Sequence, residues 1–156
     1  MWSVSLLPEQ PTRVDPGQYL ELSLPHRRSD SGGTRRVFSV TSAPDAETVT
    51  LGVRIDEPAS RFKRELRALQ SGDQVSATRI GGDFVPPTTP EQPVLYLAAG
   101  IGVTPYLSHL AAEASAGITR DRVLIYLLRD GEQIPFRDRL STADLRVIVV
   151  APTRPA

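Results

Sequence analysis

The chain has 156 residues, with 18 basic and 18 acidic side chains and a formal net charge of +0. A neutral balance leaves no global field to draw nucleic acid or an anionic membrane. Cysteine is absent and His26 and His109 are the only histidines, which excludes disulfides, thiol catalysis and cysteine-ligated clusters and argues against a histidine-built metal centre.

The first seven residues lack a basic leader, and Pro8-Glu9 stops them, so no targeting segment is read there. No run approaches the roughly 20 apolar residues of a membrane helix. The expectation is a cytoplasmic protein with no membrane insertion of this chain. From residue 1 to 87 the texture is short and strand-like. Tyr19 to Leu24 and Val49 to Ile55 alternate with period two, and Arg36 to Thr41 and Gln74 to Arg79 are shorter strand candidates. Turn signals separate them: Pro16-Gly17, Ser31-Gly32-Gly33, Ala43-Pro44-Asp45, Ser71-Gly72-Asp73 and Gly81-Gly82-Asp83. Short strands at this spacing predict a small antiparallel β-barrel, because closure removes exposed strand edges.

One helix interrupts these strands. Ser60 is its N-cap, Phe62, Leu66 and Leu69 share a face, and Gly72 follows its end. Arg61, Lys63, Arg64 and Arg67 point elsewhere and read as a solvated basic face. Lys63 is the only lysine, which reads as compositional bias. The start of the helix, with free N–H groups and a positive dipole end, suits an anion.

Residues 86–93, with four prolines, read as a linker. Beyond it, apolar strands alternate with helices: Val94 to Ala98, a helix from Pro105 to Ala116, Val123 to Leu128, a short helix from Pro135 to Thr142, and Arg146 to Ala151. This β-α-β-α-β order predicts a partial parallel, Rossmann-like sheet. The chain thus divides into a barrel domain over 1–87 and an α/β domain over 94–156.

Two stretches carry chemistry. In Arg36-Val37-Phe38-Ser39-Val40-Thr41-Ser42, arginine suits a phosphate fork, a ring can stack on a flat heterocycle, and Ser39 can bond a ring nitrogen. Taken alone, Phe38 reads as a core ring before it reads as a stacking platform. Ala98-Ala99-Gly100-Ile101-Gly102-Val103-Thr104-Pro105 follows a strand and opens a helix, where glycines admit a diphosphate close to the backbone. The same glycines read as a turn that needs positive φ.

The ordered set resembles the ferredoxin reductase-type FAD/NAD(P) oxidoreductases. Pro16-Gly17-Gln18-Tyr19 comes first, then Arg36-Val37-Phe38-Ser39 for the Arg-x-Tyr/Phe-Ser flavin motif, and Ser60 opening a helix. Leu69 to Val75, Gly82-Asp83-Phe84 and Ala98 to Pro105 follow in the family's order. The resemblance implies FAD and NADH or NADPH as cofactors. It implies that Arg36 clamps the FAD diphosphate, Phe38 stacks on the isoalloxazine, and Ser60 holds phosphate. Val37, Val53, Arg54 and Ile55 would complete the flavin site. Gly100, Ile101, Gly102 and Thr104 would border the nicotinamide nucleotide, and Arg129 would contact its ribose or 2′-phosphate, opposed by Asp130. Ser39 and Thr104 would stand nearest the reacting atoms.

Three departures stand out. Ala99 replaces a usual glycine. Asp56 and Glu57 precede Ser60, where carboxylates would repel a diphosphate unless they point away. The chain matches the family from its second barrel strand to its third parallel strand, which implies truncation at both ends. Both crossover helices would lie on one sheet face, leaving the other apolar face bare and prone to self-association, with the first parallel strand at an open edge. The implied activity is FAD-dependent electron transfer from NAD(P)H to an acceptor that stays open between an iron–sulfur domain, a haem domain, a membrane partner and a free oxidant. The alternative is a binding module that keeps the fold without turnover. A nucleic-acid-binding barrel needs exposed aromatics beside a basic groove, and aromatics are 6% of the chain.

Overall fold

The computed structural model describes residues 1–24, 33–129, 131–142 and 144–151. His26, the turn residues Ser31 and Gly32, and Asp130 lie outside them. Strands β1 (Trp2–Leu6), β2 (Tyr19–Ser23), β3 (Arg35–Ser39) and β4 (Val49–Val53) are followed by helix α1 (Arg61–Ala68) and strand β5 (Ser76–Gly81). Then come β6 (Val94–Ala99), a 3-10 turn (Gly100–Val103), α2 (Thr104–Ser115), β7 (Arg122–Leu127), α3 (Arg137–Thr142) and β8 (Arg146–Val150).

The antiparallel half differs from a closed barrel. Among the described residues, β1 pairs with β4 in one sheet and β3-β2-β5 form another. A single bridge, Val40 to Leu51, joins them. Closure needs pairing around the whole circumference, and among the described residues β1 and β5 do not pair. The two sheets instead close over a shared core: Leu20, Leu22, Val40, Leu51 and Val53 are buried together with Phe62 and Leu66 of α1. β1 is a fifth strand beyond the four that alternation gave.

The parallel half follows the predicted order, β6-β7-β8, in parallel register. Tyr96, Ala98, Leu124 and Tyr126 form a core with Leu107 and Leu110 of α2 and Leu140 of α3, so both helices cover the same face. The opposite face is bare: Leu95 is 65% and Leu97 61% exposed, and Leu127, Ile148 and Val150 are exposed beside them. β6 is an edge strand. No helix among the described residues is long and apolar enough to cross a membrane.

Helix α2 ties the halves together. Ser108 Oγ accepts from Gly17 N at 2.9 Å, and His109 Nε2 donates to Phe84 O at 2.8 Å. From α3, Arg139 donates to the carbonyl of Thr41. His109 is buried and, among the described residues, its Nδ1 has no partner. Burial lowers its pKa, partly opposed by the Phe84 bond and by Glu113 on the same helix. Tyr96, Tyr106 and Phe84 supply the rest of its surroundings. A folded-state pKa below the unfolded value means that the unfolded chain binds the proton better. Stability is therefore full above the unfolded pKa and is lost as pH falls through the folded one. Between about pH 7.5 and about 5.5, wild type should lose stability more steeply than His109→Gln, which keeps a donor but does not titrate. Urea midpoints across that range check this, and parallel pH profiles would contradict it.

Candidate functional site

A cavity of about 270 Å³ opens where the two halves meet. Its walls are Arg36, Val37, Phe38 and Ser39 of β3, Gly52 and Arg54 at the end of β4, Lys63 of α1, and Ile101 and Thr104 beyond β6. The two stretches singled out by sequence, far apart in the chain, thus share one cavity.

Local physics sets each wall. Alternation in β3 turns Arg36 and Phe38 to one side. Phe38 packs on the core against Phe62, with ring centroids 6.0 Å apart, and also lines the cavity. The Arg36 guanidinium lies 5.3 Å from the Phe62 ring centroid, and its Nη1 donates to Gly33 O and Arg35 O. Among the described residues, the Ser39 hydroxyl has no hydrogen-bond partner. The Thr104 hydroxyl donates to Ile101 O at 3.0 Å and starts α2.

Glycine serves close approach at Gly52. A Cβ there would stand 2.3 Å from Thr104 Cγ2 and 3.0 Å from the Phe136 ring, so only glycine lets β4 touch the start of α2. At the turn, Gly100 has φ +49°, the conformation that disfavours side chains. Its carbonyl accepts from Tyr126 OH at 2.7 Å, and burial drives that phenol's pKa far upward, so it stays a donor. Gly102 is different: its φ is ordinary, and a Cβ would meet nothing within 4 Å. Neither backbone nor packing demands glycine at 102, and the space beside it is open. Ala99 is exposed, so its methyl is accommodated.

The carboxylates feared to repel an anion are occupied elsewhere. Asp56 takes Arg54 Nε in a fork of 2.7 and 3.0 Å, and Glu57 accepts from Ala59 N and pairs with Arg67 at 3.3 Å. Neither lines the cavity. Arg54 also reaches Glu132 at 3.8 Å. The cavity walls therefore carry three cations and no acid.

Other predicted site residues lie apart. Val53 is buried in the antiparallel core and Ile55 packs against it. Arg129 is exposed at the end of β7, its N–H donating to Glu132 Oε2, and does not line the cavity. Ser60 caps α1, its Oγ accepting from Lys63 N at 3.3 Å, without lining the cavity itself. Ser60→Ala should lower stability by about 1 kcal/mol through the lost cap. Thermal melts check this, and an unchanged midpoint would contradict it. Lys63 corrects the sequence reading: it is half-buried in the cavity wall and is no part of a solvated face. Period alone separated it from the core face of α1. It could not show that β3 lies beside that flank.

The residues present fit a flavin dinucleotide: cations for phosphate, a ring for stacking, a spare hydroxyl and an open glycine. The cavity is smaller than the roughly 300–1,000 Å³ of pockets that enclose a whole ligand. Among the described residues no cluster could hold a metal ion.

No family model matches the chain. It is 34% identical over 140 residues to the ferredoxin reductase component of 3-ketosteroid-9-alpha-monooxygenase from Mycobacterium tuberculosis, which covers 86% of this chain and 37% of the relative. It is 31% identical over 129 residues to ferredoxin–NADP reductase B of Sorangium cellulosum, covering 80% of this chain and 50% of the relative. The chain thus spans half or less of the length of these curated relatives. A crystal structure of a ferredoxin NADP+ reductase from Neisseria gonorrhoeae with bound FAD and NADP superposes with a TM-score of 0.75 at 23% identity, covering 98% of this chain and 63% of that one. In sequence and in fold, the chain is related to the ferredoxin reductase-type FAD/NAD(P)-binding oxidoreductases and matches part of the length of each.

Proposed function

We propose that this chain is an FAD-dependent NAD(P)H oxidoreductase module that passes electrons to a separate iron–sulfur carrier. The observation that carries the reading is the single cavity formed by Arg36-Val37-Phe38-Ser39 and the Ile101–Thr104 turn. Residues 1–87 form the flavin half and 94–156 the nucleotide half. FAD, when bound, supplies the redox chemistry, taking reducing equivalents from nicotinamide and releasing them to the acceptor. The protein's own work is placement and exclusion of water. Arg36 binds phosphate, Phe38 orients the flat ring system, and Ser39 offers a hydroxyl at its edge. Gly52 brings β4 against Thr104, so the two binding walls hold a fixed spacing. The names of the relatives support a ferredoxin-type acceptor.

Fluorescence titration with FAD, then anaerobic mixing of the loaded chain with NADH and NADPH, tests this. Saturable quenching and bleaching of the flavin bands are the expected results. FAD binding without bleaching by either nucleotide would leave a binding module, and absence of FAD binding would overturn the reading.

A further inference from the structure

We infer that Phe136 is a positioning residue of the flavin cavity: its ring keys the core of the parallel half against Gly52 and so sets the distance between the two walls that hold the flat ring of the ligand. The inference rests on the flavin reading of the cavity.

Strain in the backbone singles this residue out. Phe136 has φ +55°, and every other left-handed residue among the described ones is a glycine. That region is costly for a bulky side chain, because its Cβ crowds the following carbonyl. Glycine at 136 would make the same turn between Pro135 and α3 freely. The ring is therefore kept at a cost, and strain of this kind persists only where the surroundings hold the residue in place. What the ring meets is Gly52: a Cβ there would stand 3.0 Å from its Cζ and 3.5 Å from its Cε2. The ring also packs on the core cluster that holds Val103 and Leu107, at the start of α2. The Phe136 carbonyl accepts from Leu140 N at 3.1 Å, so the same residue opens α3.

Alternation along β4 shows what this contact governs. Leu51 and Val53 belong to the antiparallel core, so Thr50, Gly52 and Arg54 lie on the opposite side. The segment from the end of β7 through α3 meets that side at three heights. Glu132 reaches Arg54 at 3.8 Å, Phe136 stands on Gly52, and Arg139 donates to the carbonyl of Thr41, whose own N–H and hydroxyl donate to Thr50 O. The outer two are polar contacts of long side chains, which tolerate small displacements. A flat ring between packed groups does not. Gly52 and Thr104 line the cavity and Phe136 does not, so its ring acts through them. With Gly52 against Thr104 on one side and Phe136 on the other, the β3–β4 wall and the Ile101–Thr104 wall keep one spacing.

Phe136→Leu, Phe136→Ala and Phe136→Gly in the 1–156 chain test this. Without ligand, the nuclear Overhauser contact between Gly52 Hα and the Thr104 methyl reports the spacing of the walls. All three variants should weaken it and leave the cross-strand contacts of β2 with β3 at wild-type strength. In titrations, Phe136→Leu should weaken FAD and riboflavin by the same factor, about tenfold, because ring placement is lost while the Arg36 phosphate contact is kept. Phe136→Gly should unfold at a higher urea concentration than Phe136→Ala, since it alone relaxes the left-handed turn, yet bind flavins no better. A wild-type Overhauser contact in Phe136→Leu would overturn the inference. So would unchanged flavin affinities beside a weakened contact, which is packing alone, or weakening of FAD with riboflavin unmoved. Flavin affinity restored in Phe136→Gly would also overturn it, by assigning the effect to the backbone. Wild type that binds neither flavin would instead overturn the flavin reading, and the Overhauser contact would still decide whether Phe136 sets the walls.

Discussion

Replacing Glu113 by alanine should cost about 3–5 kcal/mol, because it strands two buried guanidinium groups. Glu113 Oε2 accepts from Arg122 Nε at 2.8 Å, and Oε1 stands 3.1 Å from Arg120 Nε, close enough for an ion pair though poorly aligned for a hydrogen bond. The three side chains are 3%, 5% and 1% exposed. Around this knot the arginines hold backbone carbonyls. Arg120 donates to those of Thr89, Gln92 and Pro87, which pins the linker, and Arg122 to those of Ile118 and Asp144, which pins two loops. The same carboxylate lies near Tyr96, whose pKa is pushed up to about 12, first by burial and then by Glu113. A single domain has only about 5–15 kcal/mol of stability to lose. Glu113→Gln keeps an acceptor for Arg122 and should cost less. Urea midpoints decide, and a loss under about 1 kcal/mol for Glu113→Ala would contradict a knot of this kind.

The second large effect concerns ligand binding. Arg36→Ala should weaken FAD by a charge-assisted contact of roughly 1.5–3 kcal/mol, about tenfold to over a hundredfold in Kd. Its guanidinium also lies over the ring of the buried Phe62, so part of the effect falls on stability. Flavin titration beside a thermal melt separates the two effects. Equal Kd values for mutant and wild type would remove Arg36 from the site.

Why some of this was readable and some not follows from the range of the forces involved. The parallel strands and α2 are written in local pattern: continuous apolar runs, a glycine turn, and Pro105 in the first turn of α2. The bare sheet face was also predictable, since two crossovers in one direction must share a side. The closed barrel was not, because closure depends on which distant strands pair, and β1 pairs with β4 across more than 40 residues. The Glu113 knot was missed because charged residues read as surface. The available signal was its spacing, since Glu113 falls on the side of α2 that buries Leu110 and His109. Arg36, Phe38, Ser39 and Thr104 were found through ordered motifs. Lys63 and Gly52 matter through tertiary approach. Gly52 did carry a hint, a glycine in the interior of an alternating strand, which often marks close contact.

Backbone amide shifts of the 1–156 chain on addition of FAD test the central claim most directly. The account predicts saturable perturbations concentrated at Val37 to Ser39, Gly52 to Arg54, Lys63 and Ile101 to Thr104, with the bare face at Leu95 and Ile148 unmoved. Shifts confined to other surfaces, or none at saturating FAD, would contradict a flavin site between β3 and the start of α2.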